Sequence, residues 1–188
     1  MIASLDGRVL AKLDDGVILN VGGVGYRVRL TAPMLVQARE SEELFCFTHL
    51  AIRENEWSLY GFQTQEELEL FELLLTVQGV GPKAALNMLS VMEPQSVAGA
   101  IAGEQAAMLT RIPGIGQKIA QRIVLDLKNK VGIYATGMTA ASSSDTDAIS
   151  ALTALGYSVA EAQSALKSLE PGLALEEKIF AALQKLSG

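Results

Sequence analysis

The chain has 188 residues, of which 49% are hydrophobic, 19% charged and 5% aromatic, and its formal net charge is -6. That length and apolar content suffice for one or two packed domains with a small extra module, and they exclude a disordered or low-complexity protein. No apolar run approaches the length of a membrane span, and Asp6 and Arg8 interrupt the start where a signal peptide is apolar, so a cytoplasmic protein with no membrane partner is expected.

Residues 1–62 alternate apolar and polar positions in the runs VLAKL, VILNV, YRVRL, LFCFTHLAI and WSLYGF. Turns at Asp14-Asp15-Gly16, Gly22-Gly23 and Arg53-Glu54-Asn55-Glu56 separate them. A period of two between such turns predicts five strands, and with one short helical piece near Met34 to Ala38 they fit an OB-like β-barrel better than a sandwich. Cys46, the single cysteine, cannot form an internal disulfide, and its apolar neighbours predict a buried, inert thiol. His49, in the same run, reads as a satisfied or partly exposed strand residue rather than a metal ligand.

From Gln65 the period becomes helical. Leu68, Phe71, Leu74 and Leu75 share one face, while Glu66, Glu67, Glu69 and Glu72 fall mostly elsewhere. Residues 63–133 therefore read as a central all-α domain. Residues 134–144, YATGMTAASSS, lack aliphatic periodicity and predict a flexible linker. Residues 145–188 return to helical patterning, with a Ser158 to Glu161 capping box and Pro171-Gly172 as punctuation, and predict three short helices. The class is multi-domain α+β.

The sharpest signal is an internal repeat. VQGVGPKAALNML at 77–89 matches IPGIGQKIAQRIV at 112–124 at a constant offset of thirty-five, which aligns Gly79 with Gly114, Gly81 with Gly116, Lys83 with Lys118 and Ala85 with Ala120. Each copy predicts a helix, a turn of the form hydrophobic-x-Gly-hydrophobic-Gly-x-Lys, and a second helix. Two glycines free the backbone and remove side chains that would hold a phosphate at a distance. The apolar residue between them, Val80 or Ile115, can anchor the hairpin from inside. The first amides of the following helix stay unpaired, and with the helix dipole they attract phosphate without reading a base. Lys83 and Lys118 add a long cation to each seat, and Arg122 lies one turn beyond Lys118, so the second hairpin is expected to be the more electropositive.

A single Gly-x-Gly between helices is only a tight turn in about half of cases. Two copies with matched lysines favour a pair of DNA-backbone seats. Overall charge gives no support: residues 1–62 carry six Lys+Arg against eight acids, 63–130 six against seven, and 131–188 three against six. Binding through backbone amides needs few side-chain cations, so sequence-independent contact with a modest salt dependence is expected.

The repeat, the preceding barrel and the detached C-terminal module together resemble the RuvA family, the Holliday-junction-binding subunits of the RuvAB branch-migration complex. The likeness extends to the opening MIASLDGRV, to Val21-Gly22-Gly23-Val24-Gly25-Tyr26 and to Leu59-Tyr60-Gly61-Phe62. It implies a homotetramer that holds a four-way junction open and flat, with either one tetramer or two on each junction. It also implies a UBA-like C-terminal module that recruits the hexameric ATPase RuvB, the junction resolvase RuvC as a further partner, and a role in recombination, repair and the SOS response. An acidic pin at the tetramer centre is carried over to Glu54, and to Glu56 by proximity, because Asn55 interrupts the two adjacent acids of the family pattern. The motor-binding face of the module is expected around Leu169, Leu173 and Leu183.

No G-x-x-x-x-G-K-[ST] loop occurs, and no Cys/His cluster, so the chain is expected to be a non-ATPase subunit without cofactor, metal or catalytic residue. Two other classes compete. A helix-hairpin-helix glycosylase or lyase would need an acid at the hairpin, whereas Asp126 falls in mid-helix. A scaffold that stacks single strands on its barrel would need exposed aromatics, and Trp57, Tyr60 and Phe62 read as strand and core residues.

Overall fold

A computed structural model describes residues 1–54, 56–135, 143–167 and 175–186, grouped in two compact units, Met1–Gly137 and Met138–Gly188. In the first unit, strands β1 (Ser4–Leu13), β2 (Gly16–Val21), β3 (Val24–Leu30), β4 (Glu43–Arg53) and β5 (Glu56–Phe62) close a barrel in the order β1-β2-β3-β5-β4. Alternation does the work expected of it: Leu5, Val9, Val17, Leu19, Val28, Leu30, Cys46 and Leu59 point inward and are buried. Closure depends on β3 and β5, which pair in parallel through Val28↔Leu59, Arg29↔Tyr60 and Leu30↔Gly61. A Cβ at Gly61 would sit 2.7 Å from Val28 Cγ1 and 2.8 Å from Leu30 Cδ2, so a side chain there would force the barrel interior to repack.

The short helix between β3 and β4 is α1 (Ala32–Gln37), two residues earlier than the sequence predicts; Ala38 is its C-cap, and Met34 plugs the barrel. Next comes α2 (Gln65–Leu75), opened by a capping box in which Thr64 accepts from the Glu67 amide and the Glu67 carboxylate accepts from the Thr64 amide. Its buried face is Leu70, Phe71 and Leu74, with Leu68 and Leu75 only half-buried.

The outer face of β5 does not end the barrel core but begins the helical one. Tyr60 and Phe62 belong to the same buried cluster as Phe71, Leu74, Val77, Met88 and Ile101, and the Phe62 and Phe71 rings lie 4.7 Å apart. His49 Nδ1 meets Glu72 Oε1 at 2.9 Å across the same seam. The barrel keeps its own interior, and the outer face of β5 packs into the separate helical core, which joins the two layers within the unit Met1–Gly137.

The remaining helices of this unit are α3 (Pro82–Val91), α4 (Pro94–Ala102), α5 (Ala106–Leu109), α6 (Gln117–Leu127) and α7 (Gly132–Ala135). Tyr134, assigned by composition to the linker, instead sits half-buried on the helical core, with its hydroxyl donating to Glu69 Oε2 at 3.4 Å. Burial and the nearby Glu69 push its phenol up to about 12. The linker residues 136–142 lie outside the described residues.

The second unit holds α8 (Ser143–Ala154), α9 (Val159–Lys167) and α10 (Leu175–Leu186) around Ile149, Leu152, Ala162, Ala165 and Ala182. Alanines bring the helices close but bury little apolar area, so this core is small. The Ser158 to Glu161 box forms: the Glu161 carboxylate accepts from the Ser158 amide at 2.8 Å, and the Glu161 amide donates to Ser158 Oγ at 3.3 Å. Pro171-Gly172 lie outside the described residues.

Candidate nucleic-acid interface

The repeated segments fold into two loops with the same backbone. Gly79 and Gly114 have φ of 95° and 93°. Gly81 and Gly116 cap the following helices with φ/ψ of -98°/168° and -82°/167°. Hydrogen bonds repeat at the same offset. In the first loop the Val77, Val80 and Ala85 amides donate to Leu74, Val77 and Gly81; in the second the Ile112, Ile115 and Ala120 amides donate to Leu109, Ile112 and Gly116, all within 2.9–3.1 Å. Val80 and Ile115 are buried, as an anchoring role requires.

What the bonds leave over is a group of unpaired amides at the start of each following helix. The first helical amide to find a backbone acceptor is that of Ala85 in one copy and Ala120 in the other, so Lys83 and Ala84, and Gln117, Lys118 and Ile119, direct theirs outward. A Cβ built on Gly81, Gly114 or Gly116 meets nothing within 4 Å. For Gly114, as for Gly79, the positive φ accounts for glycine. Gly81 and Gly116 cap the following helices, a position that favours glycine over alanine, and the space beside their Cα atoms is open to a ligand.

The two seats are held in a fixed relation. Asn87 Nδ2 of α3 donates to the Pro113 carbonyl of the second loop at 3.3 Å, and a Cβ on Gly79 of the first loop would touch Ile119 Cγ1 of α6 at 3.9 Å. The helix before the second loop, α5, is only four residues long, so this copy relies on the Leu109 and Ile112 anchors rather than on a long first helix.

Lys83 and Lys118 are exposed and make no ion pair among the described residues. Arg53, beside the β4–β5 turn, and Arg111, just before the second loop, share that condition, and the sequence reading assigned neither a role. Arg122 differs. Its Nε donates to Asp126 Oδ2 at 3.1 Å, so part of the charge expected at the second hairpin is neutralised within α6. Asp126 is the tenth of eleven residues in α6, near the helix end rather than its middle. That places it about 15 Å along the axis from Gly116, where it is paired with Arg122.

The two pin acids have different surroundings. Glu54 is exposed, without an ion-pair partner among the described residues, whereas Glu56 opens β5 and accepts from Arg29 Nη2 at 3.1 Å and Ser58 Oγ at 2.7 Å. The Ser58 hydroxyl and the Arg29 guanidinium hold the Glu56 carboxyl below the usual carboxylate range. Asn55 lies outside the described residues.

Trp57 corrects a sequence expectation: it is 75% exposed, as the strand runs beyond the barrel mouth and its cross-strand neighbour Ile52 is 63% exposed. Phe45 is also exposed, but it lies seven positions from Ile52 along β4, and the odd separation puts it on the opposite face. These aromatics are therefore about 23 Å apart and form no continuous stacking groove.

Of the expected motor-binding residues, Leu183 packs against the core of the second unit, and Leu169 and Leu173 lie outside the described residues. The exposed large apolar side chains described in that unit are Leu155 and Phe180. Cys46 is fully buried, and burial pushes its thiol up to about 11. Among the described residues no group of three or more His, Cys, Asp or Glu side chains could hold a metal, and no helix is long and apolar enough to cross a membrane.

Residues 1–61 match the RuvA N terminal domain, 71–129 the SAM-like helix-hairpin-helix tandem, and 145–187 the RuvA C-terminal domain. Curated relatives carry the name Holliday junction branch migration complex subunit RuvA. That of Dehalococcoides mccartyi is 44% identical, covering 97% of this chain and 97% of the relative. Those of Ruminiclostridium cellulolyticum and Thermus thermophilus are each 40% identical, covering 99% of this chain and 100% of the relative. With all three regions matched and identity sustained along nearly the full length, the chain belongs to the RuvA family of Holliday junction branch migration complex subunits.

Proposed function

We propose that this chain binds four-way DNA junctions in the cytoplasm without regard to sequence, through Gly79, Gly81 and Lys83 in one seat and Gly114, Gly116, Lys118 and Arg122 in the other. The observation that carries this reading is the pair of loops with matching glycine dihedrals and hydrogen bonds, whose second glycines face open space beside unpaired helix amides. Such a seat favours phosphate by dipole and hydrogen bond and contacts no base edge, so arms of any sequence are equivalent. Each hairpin pair grips the minor-groove phosphates of one arm. A single chain explains grip on duplex, and preference for a four-way junction requires four chains around one crossover.

In that homotetramer, four copies of Glu54 near the axis repel phosphates and keep strands from settling, which favours an open square. Glu56, bound by Arg29 and Ser58, contributes less to that field than a free carboxylate would. The chain supplies no covalent step of its own. The RuvB ATPase, recruited by the C-terminal unit, draws the arms through, and RuvC resolves the product in recombination and repair. On the described surface of that unit, Leu155 and Phe180 are better placed for docking than Leu183, which its own core occupies.

The test is the mass in solution with and without a synthetic four-way junction, together with competition by linear duplex of equal length. The reading expects four or eight chains per junction and a junction preference. A monomer that binds duplex and junction equally would sink the tetramer and pin roles together.

A further inference from the structure

The two hairpins match in backbone but not in charge. In the second, Lys118 and Arg122 stand one turn apart on α6, with Arg122 also paired to Asp126 at 3.1 Å. In the first, the position thirty-five residues before Arg122 is Asn87, and Lys83 is the sole cation of α3. A cleft of about 320 Å³ opens between α3 and the barrel wall, and Lys83 and Asn87 face across it to Arg29, Arg53, Asp15 and Glu56. Both acids in the cleft are engaged. Arg29 bridges them at 3.1 Å each, Arg27 adds a second contact to Asp15 at 3.1 Å, and the Ser58 hydroxyl donates to Glu56 at 2.7 Å. Arg53 and Lys83 both line this cleft, one from the barrel and one from α3, and neither makes an ion pair within 4 Å among the described residues, although Arg53 lies opposite Glu56 in the β4–β5 pairing and helps to hold that carboxyl low.

We propose that this cleft is an additional phosphodiester seat, in which Arg53 of the barrel supplies the second cation that the first hairpin lacks in its own helix. A DNA strand held at Gly79 to Lys83 then continues along the barrel wall toward Glu54, and the Asp15–Arg29–Glu56 network serves to keep two carboxylates off its path. Arg53 here is a binding residue and Arg29 a positioning residue. The inference rests on the DNA-binding reading above and adds a contact from the barrel, where the repeat itself places none.

The test uses the full chain and a fluorescent four-way junction titrated over a range of salt. Arg53→Ala is expected to lower affinity about three- to tenfold at moderate salt and to reduce the slope of log K against log salt by about 0.9 per bound chain. Arg53→Lys should keep the slope, since one cation replaces another. Affinity and slope unchanged in Arg53→Ala would overturn the inference. Lys118→Ala with Arg122→Ala, run in parallel, separates the two levels. If that pair weakens binding while Arg53→Ala is silent, the cleft seat alone fails; if neither changes, the hairpin reading fails with it.

Discussion

Gly81 and Gly116 have ordinary negative φ and open space around their Cα atoms, while Gly79 and Gly114 are held at φ near 95°. The two kinds of glycine should respond differently to the same change. Gly79→Ala or Gly114→Ala should lower stability by about 1–2 kcal/mol in thermal or urea unfolding, the cost of a left-handed conformation with a Cβ. Gly81→Ala and Gly116→Ala should cost at most about 1 kcal/mol, since alanine is a poorer N-cap than glycine, yet weaken junction binding several-fold. Wild-type affinity in the second pair would remove the open-space argument. The repeat made these positions legible in the sequence, because glycine and lysine recur at one spacing. The engagement of Glu56 by Arg29, twenty-seven residues away, was not legible, because a strand pairing chosen by the whole barrel brings them together. The Arg122–Asp126 pair has an i,i+4 spacing common to solvated helix faces, so nothing in the repeat marks it.

Helix α2 carries the join between barrel and helices. Phe71 has zero exposure and touches Phe62, Tyr60 and His49, so Phe71→Ala should cost about 3–5 kcal/mol and loosen both layers in one transition. Periodicity placed Phe71 on the buried face but could not tell that β5 would be its partner, since an outward strand face looks the same whether water or a helix covers it. The last short helix of the unit, α7, was missed because four residues are too few to show a period. Its Tyr134 gives a pH signature. With the phenol raised from 10.0 to about 12, the folded state favours the neutral form, so this contribution is complete below pH 10 and is lost as pH rises through 12. Melting curves of the native protein and Tyr134→Phe should therefore converge over that window; curves that stay parallel would contradict the assignment.

At the scale of the molecule, a chain cut after residue 137 keeps the whole first unit, including α7 with Tyr134 docked, whereas a cut at 134 would strip that contact. The shorter chain is expected to bind junctions as the full one does and to lose ATP-driven branch migration with RuvB. Full migration by the shorter chain would show that the C-terminal unit is not the motor-binding element. Two seats, each a backbone loop with its lysine, are held to grip DNA by its phosphates without reading bases. The most direct measurement of that grip is the affinity of the native chain and of Lys83→Ala with Lys118→Ala for four-way junctions of unrelated arm sequence, over a range of salt. Equal native affinities across sequences, and a uniform loss with a shallower salt slope in the variant, are predicted. Affinities that depend on arm sequence, or a variant that binds as tightly as the native chain at every salt concentration, would contradict it.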